Sequence, residues 1–123
     1  MAEQQQEVRR APGTTTIAPG VLVRIAQLAA ISVPGVSSLA PVPGGVNRLF
    51  RRGSSDGVRV DVDDNRVSTD LFLTLSHGVD ARKVSRDVQR AVARAIEDMV
   101  GMQVERIDVH IEEIDFEKPG GGE

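Results

Sequence analysis

Between Gly57 and Phe116 the spacing of apolar residues changes from every second position to about every 3.6 and back again, the signature of strand, turn, strand, helix, strand. In Gly57-Val-Arg-Val-Asp-Val-Asp, valine alternates with charge, and Val67, Thr69, Leu71, Leu73 and Leu75 resume that alternation after Asp64-Asn65. Two such runs about an Asx-rich turn predict a hairpin with one buried face. Val84, Val88, Ala91, Val92, Ala95, Ile96 and Met99 then fall on one stripe, which predicts an amphipathic helix from about Asp80 to Val100 with Gly101 as its left-handed stop. Ile107, Val109 and Ile111 alternate with Asp108, His110 and Glu112, so a third strand returns to the sheet.

Upstream, Leu22, Ile25, Leu28 and Ala29 form a second stripe that predicts a helix over 19–32, opened by Pro19 and closed by Pro34-Gly35. The Pro- and Gly-rich text of 36–56 reads as a long loop, interrupted by Val46-Asn-Arg-Leu-Phe-Arg-Arg52. Residues 1–13 and 117–123 are too polar and Gly-rich to bury apolar surface, and are expected to be tails around one domain at 14–116. The expected fold is α+β: helix, strand, strand, helix, strand, with both helices packed on one face of a three-stranded sheet. The last strand runs parallel to the strand before the helix. It lies either beside that strand in a mixed sheet or beside the first strand in an antiparallel one.

Composition narrows the chemistry. A chain of 123 residues supports one core. With no cysteine there is no disulfide, thiolate metal site or thiol nucleophile. Three Phe, with no Trp or Tyr, argue against an aromatic platform for single-stranded bases, and a net charge of −3 weighs against indiscriminate nucleic-acid binding. No apolar run reaches the ~20 residues that span a bilayer, and the acidic, polar start is unlike a signal sequence. The expectation is a soluble, intracellular protein without cofactor or catalytic constellation.

Three surfaces carry candidate interactions. Arg82, Lys83, Arg86, Arg90 and Arg94 form a cationic ridge opposite the apolar stripe of the second helix; several sit in its first half, where the macrodipole disfavours cations. The plainer reading is a solvated face relieved by Asp87, Glu97 and Asp98. Alternation turns Asp61, Asp63, Asp70, Asp108 and Glu112 to the open side of the sheet, with Phe72 among them as an apolar anchor. A cationic helical side against an anionic sheet side would assemble head to tail into open arrays. Arg48, Leu49, Phe50, Arg51 and Arg52 form a short basic amphipathic element that reads either as a contact for anionic lipid or a membrane partner, or as a plug closing the core.

The histidines point to less. Asp108, His110 and Glu112 share a strand face, but steps of about 7 Å are too wide for one small ion, so an exposed polar face is the better reading. His77 falls in the strand-to-helix turn without a nucleophile beside it. Gly44-Gly45 and Pro34-Gly35 do not open a helix after a strand, and the Gly-x-x-Gly clamp of RNA-binding KH modules is missing. A small anion- or RNA-binding module using the arginine ridge is the alternative to a protein-interaction role.

Ile17-Ala-Pro-Gly-Val-Leu-Val-Arg-Ile-Ala26, Val33-Pro-Gly-Val36, the hairpin from Gly57 to Leu71, His77-Gly-Val79, the helix from Val84 to Met99, Gly101 and the strand from Val104 to Ile111 together resemble the alkaline-shock-protein family of bacterial envelope stress response proteins. The likeness runs in order over roughly 15–116. It implies a small non-enzymatic cytosolic protein that associates with itself and is held at the inner face of the membrane by a small membrane-anchored partner, and it brings no catalytic motif. Where many members place a hydroxyl-bearing cap before the first helix this chain has Ala18, which forfeits about 1 kcal/mol of capping.

Overall fold

The computed structural model describes residues 12–43, 53–55 and 57–120. Its elements are α1 (Pro19–Ile31), β1 (Val36–Leu39), β2 (Gly53–Ser55), β3 (Val58–Asp63), β4 (Arg66–His77), α2 (Ala81–Val100) and β5 (Gln103–Pro119). The α+β class and the two helices on one face are as the periodicity predicts. The sheet has two further short strands, β1 and β2, inside the stretch read from sequence as a loop. The basic element at Arg48, Leu49, Phe50, Arg51 and Arg52 lies outside the described residues.

Strand β4 organises the sheet. One of its edges pairs antiparallel with β3 along its first half, from Asp63↔Arg66 to Val58↔Leu71. The same edge then pairs with β1, with Leu39 opposite Leu73. Its other edge is covered by β5, which runs parallel to it. Of the two placements open for the last strand, the mixed sheet is therefore the one adopted, and α2 makes the crossover.

Local chemistry places the helices. Asp80 caps α2 by accepting from the backbone N–H of Arg82 and Lys83 at 3.1 and 3.2 Å, and Gly101 ends it at φ 70°. Helix α1 starts at Pro19 after Ala18, which makes no side-chain cap bond. Its Leu22, Val23, Ile25, Ala26 and Ala30 are buried and meet Val84, Val88, Val92 and Ile96 of α2 over Val58, Val60, Val67, Leu71, Leu73 and Leu75 of the sheet.

Two residues of the predicted stripes are outside this core. Met99, 69% exposed, has the phase of the buried stripe but lies at the last turn of α2, whereas Leu28, 58% exposed, turns to the opposite face of α1 from Leu22, Ala26 and Ala30, alongside exposed Val21 and Ile31. Strand β5 also continues past residue 116, the limit expected for the domain. Its end is tied down where the Gly120 N–H donates to the His77 carbonyl at 2.9 Å.

Candidate interaction surfaces

The cationic ridge is present on α2: Arg82, Lys83, Arg86, Arg90 and Arg94 are all exposed. It divides into two kinds of charge. Lys83 Nζ and Arg90 Nη2 both bond Asp87, at 2.8 and 3.1 Å. The Lys83 hydrogen bond, with the charges of Lys83 and Arg90, holds the Asp87 carboxyl below the usual carboxylate range against a weaker opposing effect of desolvation. Arg82, Arg86 and Arg94 have no acidic partner among the described residues.

The open sheet face differs in character from the expected acidic plane. Asp61, Asp63, Asp70, Asp108 and Glu112 are on the outward side or rim, but cations share it. Asp70, half-buried, receives His110 Nε2 at 3.0 Å, with Arg59 Nε at 3.8 Å and Arg106 Nη1 at 4.0 Å. Arg106 also pairs with Asp108. The face is a mixed network in which Asp70 and Asp108 are answered within the molecule.

Phe72 faces outward as alternation predicts, yet it is only 4% exposed. The His110 ring stacks on it with centroids 4.6 Å apart, and the Arg59 guanidinium lies 5.4 Å from its centre. It is the floor of the network rather than an apolar anchor. His110 thus finds its carboxylate across the sheet at Asp70, not along its own strand at Asp108 or Glu112. His77 ends β4 and stacks on Phe116 at 5.6 Å.

The surface not found from sequence lies at the far end of β5. Ile111 and Ile114 are 37% and 40% exposed, and Phe116 is 74% exposed. Ile111 forms one wall of an open hollow of about 220 Å³ with Ala81, Arg82, Ser85 and Arg86 at the start of α2. Glu112, Glu113 and Glu117 are exposed beside it and make no ion pair with a described residue. The signal that could have located this surface is the interrupted alternation Ile111-Glu-Glu-Ile114-Asp-Phe116. A wider hollow of about 370 Å³ lies between α1 and the end of β1, lined in part by Leu28, Ile31 and Leu39.

Comparison with known proteins agrees with this arrangement. Residues 7–116 match the alkaline shock protein 23 family, described as having a cell envelope-related function. The uncharacterized protein YqhY of Bacillus subtilis is 31% identical over 107 residues, 85% of this chain and 79% of that protein. A Streptococcus pyogenes protein is 32% identical over 108 residues, 86% of this chain and 82% of that one. Among solved structures, the zinc form of a MamM CTD variant superposes with a TM-score of 0.56 at 17% identity, over 81% of this chain and 93% of that one, a likeness of fold alone.

Proposed function

We infer, because this chain belongs to the alkaline shock protein 23 family and that family's function is cell envelope-related, that it serves as a non-catalytic, self-associating scaffold in the bacterial envelope stress response. The observation that carries the reading is the number of large apolar side chains left on the surface. Seven are at least 37% exposed among the described residues, three of them on α1 and three at the end of β5. Apolar groups gathered at two places on a small domain mark surfaces that another protein covers. Arg82, Arg86 and Arg94, exposed and without an acidic partner among the described residues, add charge that orients such contacts more than it strengthens them.

In this reading the protein works in the cytoplasm and reaches the inner face of the membrane through a small membrane-anchored partner. No described helix is long and apolar enough to cross a bilayer. The anion- or RNA-binding alternative has less behind it. The α2 ridge is partly neutralised by Asp87, and the outward aromatic of the sheet is covered by His110 and Arg59.

The test is light scattering coupled to size exclusion over a dilution series at low and high salt. A mass above 13.2 kDa that falls on dilution is expected. A monomer at every concentration would remove the scaffold from consideration, and a mass that rises only when RNA is added would favour the alternative.

A further inference from the structure

We propose that the outer edge of β5, together with the first turns of α2, is the surface through which two copies of this chain pair about a twofold axis. This deepens the self-association reading and rests on it.

The argument begins with unpaired backbone. β5 is 17 residues long and its only strand neighbour is β4, so its other edge presents N–H and C=O groups along its length with no strand beside it among the described residues. Long open edges are the ready-made template for pairing with another chain, and proteins that remain monomeric blunt them. Irregularities at Glu105, at Glu112 and between Asp115 and Pro119 interrupt the register with β4, but the run from Arg106 to Ile111 is regular. Gln89 of α2 covers one point in that run, donating to the Ile107 carbonyl at 3.0 Å.

The side chains then choose the partner. At the C-terminal half of this edge stand Ile111, Ile114 and Phe116, exposed, with Glu112, Glu113 and Glu117 interleaved. Directly beside them, across the hollow at Ile111, stand Arg82 and Arg86 with no acidic partner among the described residues. One patch therefore offers an acidic, apolar strand and also the cations and apolar wall that would receive such a strand. A surface carrying both halves is self-complementary. In an isologous pair, the arginines of each copy meet the acids of the other and the two β5 edges run antiparallel. The apolar residues of both strands come together beneath the helices. An unrelated partner would have to reproduce that pattern, whereas a second copy has it already.

Charge exchange tests the contact. One full-length variant carries Arg82→Glu and Arg86→Glu, a second carries Glu112→Lys and Glu113→Lys, and each is studied alone and in equal mixture by analytical ultracentrifugation. Circular dichroism melts confirm folding. Each variant alone is expected to lose self-association by at least about tenfold in dissociation constant, because like charges then face each other. The equal mixture, with opposite charges restored across both halves, is expected to regain it. Should either reversal fail to fold, Ile114→Lys, which touches neither charged set, carries the same expectation of weakened pairing. Wild-type pairing in either variant alone would overturn the edge contact and leave self-association standing through another surface. A mixture that stays monomeric would also overturn it. A wild-type protein monomeric at every concentration would overturn this inference and the scaffold reading together.

Discussion

Gly57 and Phe72 are joined backbone to backbone: the Phe72 N–H donates to the Gly57 carbonyl at 2.8 Å, while the Phe72 carbonyl accepts from Ala40 at the same distance. Phe72 is thus the point on β4 where β3 ends and β1 begins. Gly57 adopts φ 70°, and a Cβ there would lie 2.7 Å from Leu39 Cβ and 3.0 Å from the Phe72 carbonyl oxygen. Gly57→Ala is expected to cost roughly 2–4 kcal/mol, combining left-handed backbone strain with overpacking against a neighbour that cannot move away. Urea unfolding monitored by circular dichroism measures it. An unchanged midpoint would mean that β1 and β3 are not held together at this glycine.

The two helix starts offer a paired test. Asp80→Ala removes both cap bonds of α2 and is expected to lower stability by about 1 kcal/mol. Ala18→Ser supplies a hydroxyl where α1 has none and is expected to raise it by up to about 1 kcal/mol. Thermal melts of both variants beside the wild type give the signs, and equal effects in one direction would contradict the assignment of the caps.

Leu22 and Leu28 are both apolar residues of α1 but lie on different faces of it: Leu22 is fully buried and Leu28 mostly exposed. Leu22→Ala is expected to cost about 2–5 kcal/mol and Leu28→Ala to remain within about 0.5 kcal/mol in the monomer. Comparable losses at both positions by chemical denaturation would place Leu28 in the core.

Asp115 accepts the Ser37 hydroxyl at 2.8 Å, which ties the end of β5 to β1. That bond, helped by the backbone N–H of Glu117 and then by Lys118, lowers its pKa. A carboxyl whose pKa is depressed on folding contributes stability above its unfolded pKa of about 3.9 and loses it as pH falls through the folded value. Ser37→Ala is expected to move the Asp115 titration upward in carbon-detected NMR. An unmoved titration would show that the hydroxyl is not its main partner.

Much of the scaffold can be read from the chain, and the misreadings have physical causes. Alternation in β3 and β4 and the stripe of α2 reflect burial against a broad partner surface, so they locate elements well. Periodicity gives a side chain's direction but not the extent of what it faces. Met99 therefore points correctly and stays exposed, while Phe72 points to solvent and is covered by His110 from one side and Arg59 from another; Leu28 is different, because the buried face of α1 centres on Ala26 and Leu28 turns away from it. β1 escapes detection because four residues containing Ser37 and Ser38 carry no useful alternation, and their strand character comes from the far half of β4. β5 was legible only to Ile111 because Glu112-Glu113 breaks the alternation at a bulge, beyond which the strand resumes. The charges of the sheet face were visible, but the pairing at Asp70 and Asp108 depends on cross-strand register, which brings Arg59 opposite Asp70 and sets Arg106 near both carboxylates.

The pairing of β4 with β1, β3 and β5 has a consequence for how the domain comes apart. Three strands lose their hydrogen-bonded neighbour if β4 leaves, and the helices lose the floor they rest on, so no partial opening that frees β4 leaves a stable remainder. Its amides should exchange with solvent deuterium only through global unfolding, whereas those of the three-residue β2, whose one strand neighbour among the described residues is β3, should exchange through local fraying. On that expectation the described sheet comes apart as one cooperative unit, with β2 as its more loosely held margin.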